Sequence, residues 1–139
     1  MTLYIYIKCN DPRCGTCEHL IEGSTFKINS KEFTVKSNMT CSSTNIIYVL
    51  KCTNCEDFYI GQSINLRKRV TVHRQQIVHA EHRHLHVSKH IHSCAADDFK
   101  IFPIYKVFAN QEQNVNLLLD SKEMHFIKLF NPPLNHELA

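Results

Sequence analysis

Residues 45–73, NIIYVLKCTNCEDFYIGQSINLRKRVTVH, leave the chain few ways to fold. Two short apolar runs, IIYVL and FYIG, flank the turn-like KCTNCED, and a basic segment follows at once. β-Branched and aromatic residues fill both runs, and neither is long enough for a helix. The Thr-Asn turn between them predicts a hairpin. Its simplest register sets Cys52 opposite Cys55, which also sets Tyr48 opposite Tyr59. Side chains alternate across a strand, so the two phenols share one face. Gly61 reads as a flexible exit, and Ser63 or Asn65 as the N-cap of a helix over residues 63–77. Leu66, Val70 and Ile77 mark the helix's apolar stripe. Arg69 and His73, at i and i+4, project from neighbouring turns of one face. Two phenols, a guanidinium and an imidazole meeting there would suit a phosphate.

The cysteines are the second constraint. There are seven, Cys9, Cys14, Cys17, Cys41, Cys52, Cys55 and Cys94. An odd count without a secretory leader argues for reduced thiols or metal over a disulfide framework. The pairs Cys14-x2-Cys17 and Cys52-x2-Cys55 have the spacing with which two thiolates on a tight turn reach adjacent corners of a tetrahedron. One grouping uses every cysteine: Cys9, Cys14, Cys17 and Cys41 in an upstream site, Cys52, Cys55, His90 and Cys94 in a downstream one. His19 is a rival for Cys41, and His86 or His92 for His90. Another grouping joins Cys14, Cys17, Cys52 and Cys55. Closed four-ligand sites of this kind hold structural Zn²⁺ and leave no open position for chemistry. Residues 78–92 carry six histidines. They read as a polar surface segment with one zinc ligand in it, His82 being the member considered for catalysis.

Along the rest of the chain, residues 1–44 read as a cysteine-rich, zinc-binding appendage. They hold a strand candidate at Leu3–Ile7 and an alternating segment, FKINSKEFTV, that suggests a small hairpin on the metal. Their apolar content is too low to fold unaided. Residues 98–108, DFKIFPIYKVF, form the third strand of the main sheet, and Pro103 confines it to an edge or a bulge. Residues 114–130 form the second long helix, with Val115, Leu119, Phe126, Ile127 and Phe130 on one side. Glu123 falls in the middle of that side. A carboxylate on an apolar face is costly unless it is paired or metal-bound. A lone glutamate there more often snorkels to water or pairs with a lysine, but the Tyr/Tyr/Arg/His group reverses that preference. Pro132 stops the helix, and the tail crosses back as a loop carrying Asn131 and Asn135.

This pattern resembles the core of the GIY-YIG endonuclease family. Ile46-Ile47-Tyr48 stands in place of the first triplet, with isoleucine where the family name has glycine, and Tyr59-Ile60-Gly61 is the second. The eleven-residue step between the tyrosines and the Arg69-x3-His73 spacing also fit. Glu123 and Asn135 fall where the family's metal-binding glutamate and C-terminal asparagine are expected. The resemblance covers residues 45–137. More narrowly, the cysteine pair between the triplets and the upstream NDPRCGTC resemble the endonuclease domain of Penelope-like retroelements. The resemblance implies an α+β domain over residues 45–139, a small three-stranded antiparallel sheet flanked by helices. It implies DNA as the substrate and Mg²⁺ or Mn²⁺ on Glu123 as catalytic cofactor. Arg69 would contact the scissile phosphate, and Tyr48, with a depressed pKa, would be the general base. Tyr59 and His73 would position or relay the proton, and Asn135 would anchor the glutamate or the phosphate. Nicking of target DNA for retroelement insertion would be the role, in an intracellular, nuclear setting. A protein partner or a fused reverse transcriptase would go with it. The sequence contains no reverse-transcriptase segment, so a fragment, a cut-out domain or a stand-alone descendant is expected.

Composition sets the remaining bounds. With 43% hydrophobic and 21% charged residues among 139, this is globular composition, and no apolar stretch approaches a membrane span. The net charge is only +3. The local cluster Arg67, Lys68, Arg69 and Arg74 therefore says more about a nucleic-acid backbone than the total does. A catalytically silent, zinc-dependent nucleic-acid-binding module is the competing reading, and the intact set of six polar side chains favours the nuclease. A thiol–disulfide enzyme is disfavoured because the thioredoxin-like βαβ context is missing.

Overall fold

The structure, a computed structural model, describes residues 3–28, 30–54, 56–78 and 99–136. Its centre is an antiparallel sheet of β5 (Thr44–Cys52), β6 (Phe58–Asn65) and β7 (Phe99–Lys106), in the order β6-β5-β7. β5 is therefore sandwiched, and its run Ile46 to Leu50 is fully buried. β7 is an edge strand, and its pairing with β5 slips between Ile47 and Tyr48, so Tyr48 faces Pro103. An edge position and a bulge are both places where a strand tolerates proline, and here both apply.

Alternation along β5 divides the core in two. Ile46, Tyr48, Leu50 and Cys52 turn to one side, against Leu66, Val70 and Ile77 of α1 (Leu66–Val78). Ile47 and Val49 turn to the other, against Leu119, Phe126 and Phe130 of α2 (Val115–Phe130). Asn65 caps α1 by accepting from the Lys68 N–H at 3.1 Å, so the helix starts later than Ser63. Asn114 caps α2 through Asn116 and Leu117. Asn131 closes α2 in the left-handed region (φ 52°), where asparagine is the best substitute for glycine.

The N-terminal residues wrap this sheet. β1 (Tyr6–Ile7) pairs in parallel with β4 (Met39–Thr40), and β2 (Thr25–Ile28) forms a hairpin with β3 (Lys31–Thr34). That hairpin packs its aromatic residues into the α2 side of the core, away from the cysteines. Phe26 meets Phe130 at 5.3 Å and Phe33 meets Phe126 at 5.0 Å between ring centroids. Residues 19–21 run beside β7, with Ile101 N–H on the His19 carbonyl (2.7 Å) and Ile21 N–H on the Ile101 carbonyl (3.0 Å). No helix among the described residues is long and apolar enough to cross a membrane.

The tail docks on the opposite edge. Past Pro132 the chain makes one short helix, α3 (Pro133–His136), where a loop was expected. From it the Asn135 amide accepts the Ile60 N–H and donates to the Ile60 carbonyl, both at 2.8 Å. Asn135→Ala is expected to cost about 2 kcal/mol, the net worth of two such bonds plus two partly buried groups left unpaired. A denaturant midpoint unchanged from the parent chain would refute the docking.

Candidate active site

The hairpin register decides how the tyrosines meet. Tyr48 pairs with Gly61 and Leu50 with Tyr59, not Tyr48 with Tyr59 as the two-residue turn predicts. The connection is longer: Cys52 N–H bonds the Asp57 carbonyl at 3.1 Å. Cys52 thus faces Asp57 and not Cys55. The slip is even-numbered, so every side chain keeps its face. The two phenols remain on the α1 side as diagonal neighbours, ring centroids 6.4 Å apart.

Gly61 sits between them. It is an interior residue of β6 and not an exit, and no glycine here has a positive φ. A Cβ at position 61 would lie 2.6 Å from Tyr48 Oη and 2.7 Å from Tyr59 Cε1. The position is glycine because two phenol rings converge over its backbone.

Tyr48 Oη is fully enclosed and doubly engaged. Arg69 Nε donates to it at 3.2 Å, and it lies 2.7 Å from His73 Nε2. The phenol oxygen can accept from Arg69 while its own proton goes to Nε2, in the tautomer whose ring proton sits on Nδ1; Nδ1 is buried and has no hydrogen-bond partner among the described residues. Burial, then the neighbouring Arg69 charge, lowers the His73 pKa to about 3, so the imidazole is neutral. With no metal ion beside it, the Tyr48 pKa is raised: burial acts first, then the neighbouring Tyr59, and Arg69 offsets only part. Burial likewise raises Tyr59, followed by the Glu123 charge, while Arg69 bonds to Tyr59 and opposes the rise.

Glu123 comes from α2, across the sheet from the tyrosines, yet its charge acts on Tyr48, Tyr59 and Arg69. On the outer strand β6 between them, Gln62 lowers the Glu123 pKa and donates to Asp120 Oδ1 at 2.5 Å. Burial raises the Glu123 pKa, Gln62 opposes, and the Asp120 charge adds to the rise. A half-buried carboxylate beside a second one is a hard-oxygen donor set short of positive charge, which fits a Mg²⁺ or Mn²⁺ ion. Asn135 does not anchor Glu123: both ends of its amide are taken by Ile60. Gln62 is the neighbour that most favours the charged form of Glu123. Sequence reasoning missed Gln62, whose only signal was its place directly after the second triplet.

The basic cluster divides. Lys68 and Arg69 line a surface hollow of about 440 Å³ together with Gln62, Ser63, Ile64, Asn65 and Val72, with no carboxylate in its wall. Arg67 and Arg74 point elsewhere. Arg67 Nη2 contacts Cys9 Sγ at 3.4 Å, and Arg74 Nη2 pairs with Glu18 at 3.3 Å. Those two arginines tie the N-terminal segment to α1.

Of the two cysteine groups, Cys9, Cys14, Cys17 and Cys41 converge, all four sulfurs lying within 4.8 Å of one another. Cys17 Sγ is 3.6 Å from Cys9 Sγ and 3.5 Å from Cys41 Sγ. Tetrahedral Zn²⁺ at 2.3 Å from each sulfur needs separations of roughly 3.8 Å, so the cluster fits the ion. Burial resists ionisation of Cys14, but hydrogen bonds from the Thr16 backbone and from Cys9 and Cys17 bring its pKa down to about 6. His19 does not replace Cys41; its ring stacks on Phe99. Cys14 and Cys17 join Cys9 and Cys41, not Cys52, which is buried in the sheet's core. Cys55, His82, His86, His90, His92 and Cys94 lie outside the described residues.

Residues 44–137 match the family model of the GIY-YIG catalytic domain, and the chain belongs to that nuclease family. No curated protein and no solved structure gave a match.

Gly61→Ala is expected to push Tyr48 off His73 and cost about 1–3 kcal/mol of stability, the usual range for overpacking. The near-ultraviolet tyrosine signal and the thermal midpoint report it, and an unmoved signal would refute the close packing. The buried His73 also makes a pH prediction. A group with a lowered folded pKa binds its proton better when unfolded, so stability is complete above pH 6.5 and falls as pH drops toward 3. His73→Gln should flatten that loss between pH 6.5 and 4 in thermal melts; an unchanged pH slope would count against the burial.

Proposed function

We propose that this chain is a metal-dependent DNA endonuclease that nicks a target strand, as the endonuclease domain of a Penelope-like retroelement would. The observation that carries the reading is the Arg69–Tyr48–His73 chain of hydrogen bonds, lying within the field of Glu123. A general base at Tyr48 needs somewhere to send its own proton, and neutral His73 Nε2 at 2.7 Å is that acceptor. In the resting site the Arg69 charge helps to keep His73 unprotonated. A scissile phosphate paired with Arg69 neutralises that charge and strengthens His73 as a base when substrate is bound.

Tyr48 Oη is enclosed in the resting site, so substrate binding has to draw Arg69 aside and admit the attacking water; the water then passes a proton to Tyr48 as Tyr48 passes its own to His73. Arg69 orients the phosphoryl oxygens and absorbs their developing charge. Tyr59, sharing Arg69, holds the guanidinium in place. Glu123 would hold Mg²⁺ or Mn²⁺, which would supply further charge neutralisation for the phosphoryl and leaving oxygens. Gln62 fixes the Glu123 carboxylate. Lys68 extends the positive wall of the hollow along the strand beside the cut. Zn²⁺ in the cysteine cluster is structural.

Glu123→Ala and Arg69→Ala are each expected to abolish nicking of supercoiled plasmid in Mg²⁺, with zinc content and far-ultraviolet spectrum unchanged. EDTA should stop the parent chain, and Mg²⁺ should restore it. Normal cutting by either variant would overturn the assignment.

A further inference from the structure

The sulfur cluster is joined to the elements that carry the active site at three places. Arg67, which contacts Cys9 Sγ at 3.4 Å, stands two residues before Arg69 on α1. Arg74, the residue after His73, pairs with Glu18 and lies so close over Gly15 that a Cβ there would collide with the guanidinium. His19, two residues after Cys17, stacks flat on Phe99, with centroids 4.2 Å apart and planes 3° apart. The His19 Nδ1 lies 3.1 Å from the Phe99 carbonyl oxygen. Phe99 in turn meets the His73 ring at 6.3 Å in an edge-on contact. The imidazole that serves Tyr48 therefore rests on Phe99, and Phe99 rests on His19.

We propose that the four-cysteine cluster, closed on one Zn²⁺, is the positioning element of the catalytic group. Arg67 and Arg74 fix the helix that bears Arg69 and His73, while His19 and Phe99 set the tilt of the His73 ring. The proposal rests on the nuclease reading for what the positioned group does, but not for the coupling itself. Its physical basis is charge and chain order. Four thiolates around a divalent ion leave two net negative charges, and Arg67 is the cation hydrogen-bonded to that cluster. Without the ion nothing ties the four sulfurs together, and residues 9–19, polar and nearly free of secondary structure, lose what folds them. The two arginine contacts and the His19–Phe99 stack then loosen together. Arg67, Arg74, His19 and Phe99 are positioning residues, since none of them touches the reacting phosphate.

The full chain loaded with Zn²⁺, or with Cd²⁺ whose thiolate absorbance reports occupancy, is compared with chain stripped by a chelator and returned to Mg²⁺. Stripping should raise amide exchange in α1, shift the His73 imidazole resonance and lower the single-turnover nicking rate about 100-fold, the cost of a displacement near 1 Å. DNA affinity should change less than about threefold, because Lys68 and the β6 wall of the hollow make no contact with the cluster. Zn²⁺ should restore all of these.

Stripping can also unfold the chain, so variants are measured loaded, with zinc stoichiometry verified. Arg67→Ala and His19→Ala should move the His73 resonance and reduce the rate. Arg67→Lys and His19→Phe should recover part of it, by keeping a cation and a stacking ring. If the loaded alanine variants keep both resonance and rate, the coupling is refuted while the nuclease reading stands. If the loaded parent chain nicks nothing in Mg²⁺, the nuclease reading falls, and amide exchange with the His73 resonance still decides the coupling.

Discussion

A phenol hydroxyl shut away from water has to find its partners inside the protein, and Tyr48 Oη finds two, Arg69 and His73. That requirement organises the molecule. It fixes the distance between the central strand and α1, because both partners come from that helix. It forbids a side chain at position 61, because the ring and Tyr59 lie across that backbone. It also demands that His73 stay neutral, which burial secures. An unsatisfied hydroxyl in such a place would cost about 1–3 kcal/mol, so the chemistry and the fold depend on the same bonds.

The polar group is assembled from both sides of one sheet. Tyr48, Tyr59, Arg69 and His73 belong to the α1 side, while Glu123 belongs to α2 beneath. They communicate around β6 because that strand is the sheet's outer member and carries glycine at position 61, followed by Gln62. A bulkier or more central strand there would have put apolar core between guanidinium and carboxylate. The narrowness of the sheet is thus part of the site, and so is the edge position of β7, which lets residues 19–21 close the far border.

Much of this is legible in the sequence. The two strands, the stripe of Leu66, Val70 and Ile77, and the carboxylate set into the α2 stripe all follow from periodicity. The convergence of Cys9, Cys14, Cys17 and Cys41 follows from spacing and from the count of thiols. The register does not follow, because alternation constrains pairing only to an even slip, and turn length decides between Tyr59 and Gly61. Nor does the fate of the basic residues. Composition gives their sign, but helical position decides that Arg67 and Arg74 turn to the cysteine segment while Lys68 and Arg69 turn to the hollow. The target of Asn135 was illegible for a related reason: an amide suits a backbone as well as a carboxylate.

Small sheets are exposed at their flanks, where unpaired amides and carbonyls can recruit a strand from another molecule. On one flank here the Asn135 amide imitates a peptide group opposite Ile60; on the other, His19 to Ile21 lie alongside Ile101. A second copy could lengthen the ladder only after evicting one of these guards. Growth of the sheet by strand addition is thereby disfavoured at the very points where the tail and the N-terminal segment are tied down.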